Sequence, residues 1–415
     1  MKNLREDAFR IIKSSIDSVL PERAVEEQLA SLNLGENIYL VAIGKAAWRM
    51  AKAAKESLKD KIKEGIVITK YGHSLGYIEG LQIYETGHPI PDENTIKATK
   101  TVIDMIKNLD EDDEVIFLVS GGGSSLFELP NDGVTLEDLQ KLNDVLLKSG
   151  ANIIEINTVR KHLSQVKGGK FAKIVEPAKI YSLILSDVLG DRLDSIASGP
   201  AFPDSTTLED VENILNKYNL DLPENILQAF TETPKSLNNV ETYIIGSVTK
   251  VCENAQQIAE KLGYNSIILT TTLDCEAKEA GLFLASIARE IKEKDRPVNK
   301  PCAVILGGET VVKVQGKGSG GRNQELALSA ARGICNYEGV IIASVGTDGT
   351  DGPTDAAGGI VDGQTLNRLK EKNIDIESVL KNNDSYMALQ AIDGLIKTGP
   401  TGTNVNDLIF ILCDS

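Results

Sequence analysis

The residues able to do chemistry in this sequence collect where its apolar runs stop. VIFLVS breaks into Gly121, Gly122, Gly123, Ser124 and Ser125, and IYLVAIG ends in Gly44 and hands over to Lys45. IYSLILS is followed by Asp187 and Asp191, AVIL by Gly307, Gly308, Glu309 and Thr310, and VIIASVG by Thr347 and Asp348. Glycine lets backbone N–H groups close on an anion. Carboxylates suit a hard cation such as Mg2+, and a lysine offsets phosphate charge. The inventory fits a phosphate, its metal and a small polar substrate. Gly121 to Ser125 reads as a cradle for phosphate, although a tight turn packed against a neighbouring element would use the same glycines.

Three further stretches carry chemistry. VQGKGSGGRNQELALSAARG holds Gly316, Gly318 and Gly321 in the G-x-G-x-x-G spacing, but the next acid at a strand end, Asp348, stands too late for the ribose-binding acid of a dinucleotide fold. Arg322 at the start of a helix suits a charge-assisted contact to phosphate or carboxylate, or else an interface between domains. NTVRKHLSQVKGGK places Arg160, Ser164 and Lys167 at i, i+4 and i+7. That spacing predicts one basic helix face stopped by Gly168 and Gly169, with Lys170 close behind, serving a bound anion or simply solvated. VGTDGTDGPTDAAGG crowds Asp348, Asp351 and Asp355 around glycine turns. It lacks the EF-hand order; its carboxylates suit Mg2+ beside phosphate, and ordinary Asp-Gly turns would look the same. Neither a Walker A pattern nor the H-R-D and D-F-G set of protein kinases occurs.

The elements that must position these residues alternate in type. IYLVAIG leads into KAAWRMAKAAKESLK, VIFLVS into TLEDLQKLNDVLLKSG, and TYIIGS into VCENAQQIAEKLG; GIVIT, IYSLILS, SIILTT, AVILGGE, TVVKVQ, VIIASVG and LIFILCD supply further strands, and Asn323 to Gly333 a further helix. The alternation predicts an α/β fold of mostly parallel sheets flanked by helices, with ligands beyond the carboxyl ends of the strands. A chain of 415 residues exceeds one ordinary core. The polar stretch NLDLPENILQAFTETPKSLNNVE divides it into domains 1–240 and 241–415. Leu4, Ala8, Ile12, Ile16 and Val19 recur at helical spacing, which reads as an amphipathic helix and not a signal peptide. No apolar run is long enough to span a bilayer. Five scattered cysteines without a C-x-x-C pair suit a reducing cytoplasm, and a net charge of −16 argues against nucleic acid or an anionic membrane as partner. Any phosphate bound here must meet a local cluster of positive charge.

VAIGKAAWRMA, TGHPIPDENT, LVSGGGSSLFELP, NTVRKHLSQVKGGK, SDVLGDRLDSIASGP, GGET, GGRNQELAL, GTDGTDGPTDAAGG and TGTNVNDL follow in one order. Together they resemble the glycerate 2-kinase family, whose C-terminal domain is called MOFRL. The resemblance implies two α/β domains, a Rossmann-like one at the N-terminus, with the active site in the interdomain cleft. It implies ATP-dependent phosphorylation of D-glycerate at the 2-hydroxyl, a divalent cation and a homodimer. It also implies roles for the lysine of the first strand-to-helix turn and the arginine of GGRNQE, here Lys45 and Arg322. On this basis Gly121 to Ser125, Lys167 and Gly168 are assigned to the nucleotide phosphates, and Lys45, Arg160, Asp191, Glu309 and Arg322 to the substrate. Lys45, Arg322 and Asp187 are the catalytic candidates, and Asp187, Asp348 and Asp351 the metal candidates. Which of Lys45 and Arg322 takes carboxylate and which phosphate stays open, as does whether Asp187 and Asp191 hold the metal or orient the hydroxyl. A nicotinamide-dependent hydroxypyruvate reductase and a nonenzymatic sugar-acid binder are the alternatives; the misplaced acid after Gly321 counts against the first.

Overall fold

The computed structural model describes residues 3–415. The chain forms two compact units, one spanning Pro21–Ile245 and the other joining the residues up to Leu20 with Gly246–Ser415. In the first, β1 (Ile38–Ile43), β2 (Ile62–Lys70), β3 (Leu81–Thr86), β4 (Glu114–Val119), β5 (Lys179–Leu185) and β6 (Val240–Gly246) lie in the order β3-β2-β1-β4-β5-β6. The pairings of β1 with β2 and β4, of β2 with β3 and of β4 with β5 are parallel. This is the Rossmann order, with its reversal between β1 and β4. Alternate residues of the apolar runs feed two cores. Val41, Ile43, Phe117 and Val119 face one, and Leu40, Ala42, Ile116 and Leu118 the other, so neither strand shows a polar face.

β1 and β4 end level, with Ile43 opposite Val119. Their exits are stitched together: Ser120 N–H donates to the Ile43 carbonyl at 3.0 Å, and Lys45 N–H to the Gly121 carbonyl at 2.9 Å. Gly44 has a φ of +112°, and a Cβ there would overlap the Ser120 hydroxyl and carbonyl. Only glycine fits.

The second unit contains β7 (Asn265–Leu273), β8 (Cys302–Gly308), β9 (Val340–Gly346), β10 (Gly358–Asp362), β11 (Leu395–Ile396) and β12 (Asp407–Cys413), in the order β11-β10-β9-β12-β8-β7. Only β7 and β8 pair in parallel; β12 runs antiparallel to both β8 and β9, and β10 antiparallel to β9 and β11. The expectation of a mostly parallel sheet therefore fails here. LIFILC is apolar on both faces, and such a run reads the same in either direction.

Three other expectations shift. The strand in TYIIGS, expected to open the second domain after residue 240, is instead β6 of the first sheet, because the polar stretch before it is folded into that unit: Thr231 N–H donates to the His162 carbonyl and Thr233 Oγ1 to Asp204. The N-terminal helix Leu4–Asp17 forms as read, yet it packs in the C-terminal unit, on the helix Val248–Lys261 and on β9 and β12. TVVKVQ makes only an isolated bridge at Val311, and Val311 and Val314 are exposed. Among the described residues no helix is long and apolar enough to cross a membrane.

Replacing Gly44 by alanine combines a disfavoured φ with an overlap against backbone, and should cost about 2–3 kcal/mol of stability or more. Urea unfolding should show a lower midpoint with unchanged m; an unmoved midpoint would contradict this account of the β1–β4 exits.

Candidate functional site

In the Pro21–Ile245 unit each glycine after β4 is matched by a different neighbour. A Cβ on Gly121 would overlap the Asp187 carboxylate. On Gly122, at φ +86°, it would stand 2.9 Å and 3.0 Å from Cδ2 and Nε2 of His88 and 3.4 Å from Cε of Lys45; on Gly123 it would stand 2.8 Å from Cβ of Ala197. Lys45, His88 and Asp187 come from the ends of β1, β3 and β5. Lys45 is half-buried, and among the described residues its ammonium has no hydrogen-bond or ion-pair partner. Its carbonyl lies 3.1 Å from Nδ1 of His73. Burial lowers the His88 pKa, with Lys45, Lys70 and His73 pushing the same way.

The serines of the turn are fixed from below. Ala197, Ser198 and Gly199 are successive residues in the left-handed region, and Ser198 Oγ lies 3.2 Å from Ser124 Oγ. Two non-glycine residues there cost about 1–3 kcal/mol each, held by surrounding structure. Lys167 is fully buried and donates to the carbonyls of Ser124 at 2.7 Å and Phe127 at 3.0 Å; Arg160 Nη2 donates to the Ser124 carbonyl at 3.0 Å. Behind them Glu128, 2% exposed, accepts from Ser164 Oγ at 2.5 Å and lies 3.5 Å from Lys167 and 3.7 Å from Arg160. Asp191 has a φ of +51° and a buried Oδ1 without a hydrogen-bond partner.

The other unit has its own strand-end cluster. Arg322 opens the helix Arg322–Gly333; its Nε and Nη2 donate to Asp407 at 2.6 Å and 3.1 Å, and Nη1 to Glu309 at 2.7 Å. Asp407 begins the antiparallel β12 and so stands opposite Gly308 and Gly346, at the carboxyl ends of β8 and β9. Burial pushes its carboxyl up to about 6 against the pull of Arg322. Asp351 accepts the N–H groups of Asn323 and Gln324 at 3.1 Å and 2.9 Å and the Gln324 amide at 2.9 Å, which caps that helix. Beside these residues lies a pocket of about 590 Å³ walled by Val311, Val312 and Val314 and floored by Gly320 and Gly321.

Comparison with known proteins decides the family. A family model described as a domain of unknown function, DUF4147, matches residues 7–231, and the MOFRL family model matches residues 302–407. The chain is 62% identical to the D-glycerate 2-kinase of Thermotoga maritima, over 98% of each chain, and 45% identical to a glycerate 2-kinase of Pyrococcus horikoshii, over 100% of this chain and 98% of that one. The crystal structure of glycerate kinase from Thermotoga maritima superposes with a TM-score of 0.97 at 62% identity, covering 99% of both chains. The chain belongs to the glycerate 2-kinase family.

In this member of the glycerate 2-kinase family, the sequence-derived residues divide. Lys45, Gly121, Gly122, Gly123, Ser124, Ser125 and Asp187 meet at the β1–β4 switch point, and Glu309 and Arg322 meet in the other unit. Lys167 and Gly168 are struts and not phosphate ligands: Lys167 is spent on carbonyls and Glu128, and Gly168 N–H donates to the Ser198 carbonyl. Arg160, Ser164 and Lys167 do not share a helix, which ends at His162, because the next segment bonds to strand-like backbone instead, Asn131 N–H to Leu163 carbonyl and Gln165 N–H to Leu129 carbonyl. Asp351 is committed to its cap, Asp348 accepts from Thr350 N–H, and both lie in a different unit from Asp187; among the described residues no three metal-binding side chains cluster. The glycine-rich loop packs on its own chain, Gly316 and Gly318 against Asn382 and Asp384, leaving no dinucleotide turn. Sequence reasoning passed over His88, Glu128 and Asp407, although TGHPIPDENT, SLFELP and NVNDL carry them.

Burial holds the Lys167 pKa down to about 8, outweighing the pull of Glu128, with Arg160 adding to the push. The folded chain then binds fewer protons than the unfolded one between that value and the ordinary lysine range, so stability increases as pH rises through this window. The stability of wild type minus that of Lys167→Met should climb by about 1.4 kcal/mol per pH unit from about pH 8 to about 10.5. Denaturant titrations of both proteins across that range test it, and parallel profiles would show that Lys167 is not the buried titrating group.

Proposed function

We propose that the chain transfers the terminal phosphoryl group of ATP to the 2-hydroxyl of D-glycerate, giving 2-phosphoglycerate and ADP. The observation that carries this reading is the 62% identity to a D-glycerate 2-kinase over nearly the whole of both chains. The geometry supports it. Phosphoryl transfer needs positioning and charge stabilisation more than covalent chemistry. The β1–β4 switch point supplies backbone N–H groups after β4, the Lys45 ammonium, which has no partner among the described residues, and the hydroxyl of Ser124, while the Ser125 hydroxyl donates to the Gly122 carbonyl and braces the turn. We assign it to the phosphates.

Asp187, pressed against Gly121, and Asp191, with its orphaned buried oxygen, fit a divalent cation that takes one or two carboxylates and completes its shell with phosphate oxygens and water. Such a cation would offset charge on the transferring group. Arg322 has three of its five N–H groups engaged by Asp407 and Glu309, and the two remaining are assigned to an anionic group of the substrate. The same reading makes the protein a cytoplasmic homodimer.

Incubation with D-glycerate, ATP and Mg2+ should release ADP, and enolase added directly should yield phosphoenolpyruvate. A requirement for phosphoglycerate mutase would mean that the 3-hydroxyl is the acceptor, and no ADP at all would sink the kinase reading. Arg322→Lys should lower kcat/KM by about a hundredfold or more, roughly 3 kcal/mol, because lysine keeps the charge and loses the planar fork that Asp407 and Glu309 orient. Melting temperature measured on the same preparation separates this from misfolding; wild-type kinetics would remove Arg322 from the reaction.

A further inference from the structure

The phosphoryl-transfer reading leaves one proton unassigned. When the 2-hydroxyl oxygen bonds to the terminal phosphorus, the bond from that phosphorus to the bridging oxygen breaks and its electron pair leaves with ADP. The hydroxyl proton must go to an acceptor near the phosphate cradle. We propose that His88 is the base that takes this proton, on its Nε2.

The position of the residue carries the inference. His88 lies in the loop between β3 and the helix Glu93–Ile106, at a strand end of the same sheet edge. The ring and the lysine stem both pack on Gly122, at the centre of the turn: its Cβ position would lie 2.9 Å and 3.0 Å from Cδ2 and Nε2 of His88 and 3.4 Å from Cε of Lys45. An imidazole nitrogen and a lysine stem thus border the same glycine of the turn. The other two histidines are engaged elsewhere: Nδ1 of His73 lies at hydrogen-bond distance from the Lys45 carbonyl, and His162 is buried between the Thr158 carbonyl and Glu232. Neither ring nitrogen of His88 has a hydrogen-bond partner among the described residues.

The charges around the ring favour an acceptor. Lys45 from the β1 exit, Lys70 from the end of β2 and His73 from the loop beyond it all disfavour the imidazolium, as does burial. On the ring's own loop the nearest acid, Asp92, is occupied by the Gly87 N–H, by Tyr71 and by the first turn of the following helix. These influences favour the neutral imidazole, the form able to receive a proton. The imidazolium formed in each turnover is then pushed to release it to water by the same cations.

The inference rests on the kinase reading, and the experiment separates the two. His88→Gln keeps a polar side chain of similar reach that cannot accept the proton. With wild type competent in forming 2-phosphoglycerate, the variant should lose about a hundredfold in kcat, the low end of what a general base contributes, because the bond to the leaving group is largely broken before the hydroxyl loses its proton. KM for D-glycerate and for ATP should stay within about threefold and the melting temperature should hold. The acidic limb of the wild-type kcat/KM profile should vanish. A kcat within about threefold of wild type, or a loss confined to KM, overturns His88 as the base. If glutamine disturbs the loop and lowers the melting temperature, His88→Ala with added imidazole decides the matter: recovery of rate supports the base, and no recovery overturns it. A wild type that makes no ADP overturns the kinase reading itself, whereas a competent wild type with an equally competent variant overturns only the base.

Discussion

The contact between the exits of β1 and β4 is what the first unit is arranged around. These two parallel strands end level, and the residues that follow approach so closely that Gly44 has no room for a side chain against Ser120. The sheet order makes that contact consequential. β1 continues toward β2 on one side while β5 follows β4 on the other, so the loops diverge just beyond the point where the strands are closest. The gap between diverging loops is open to side chains from β1, β3 and β5, and Lys45, His88 and Asp187 enter it. The neighbours that forbid a Cβ are Asp187 at Gly121, His88 at Gly122 and Ala197 at Gly123, so close packing by itself requires glycine at all three positions.

Holding that turn in place requires charge in the protein interior. Lys167, Arg160 and Glu128 lie beneath it, and Lys161 is paired with Asp204 at 3.2 Å close by, with both side chains almost wholly buried. Taking each ion out of water costs several kcal/mol, and an ion pair of this kind is weak evidence for stability. The arrangement makes more sense as orientation. Lys167 and Arg160 both donate to the Ser124 carbonyl, and Lys167 also to that of Phe127, so the short helical turn Gly123–Leu126 is anchored by charge-assisted bonds that no apolar side chain could supply. Glu128 offsets part of the repulsion between the two cations, and the result is a basic cluster in a chain of net charge −16 whose charge points inward as scaffolding.

Much of the first unit was legible because apolar runs followed by glycine, lysine or acid survive as strand ends whatever the tertiary details. What escaped was set by contacts distant in sequence. The helix through Arg160 was expected to continue to Lys167, and its basic spacing gave no hint that backbone near Leu129 and Asn131 would compete for its hydrogen bonds. The N-terminal helix was read correctly from its periodicity, but periodicity says nothing of which core receives the apolar face. His88 was invisible as a candidate since a lone histidine in a Pro-rich loop acquires meaning only beside Gly122. In the second unit, attention to residues following strands found Glu309 and Asp348 and missed Asp407. A rule about carboxyl ends presumes parallel strands, and β12 brings its first residue to that edge.

That reversal also determines how the second cluster handles charge. A helix N-terminus beside glycines would ordinarily attract a bound anion. Here Asp351 fills that role from within the chain, taking the N–H groups of Asn323 and Gln324, so the helix end has little left to offer an external phosphate. The positive charge presented at this edge is then that of Arg322, and it is partly balanced by Asp407 and Glu309. Two carboxylates around one guanidinium reduce its net attraction for an anion while fixing its plane. Burial works in the opposite direction, since it raises the Asp407 pKa and so favours the uncharged acid beside the arginine. The cluster therefore spends electrostatic attraction on geometry. Such an arrangement suits a group whose task is to meet a substrate in one orientation, with its side-chain entropy already lost on folding, and does not suit long-range capture of anions.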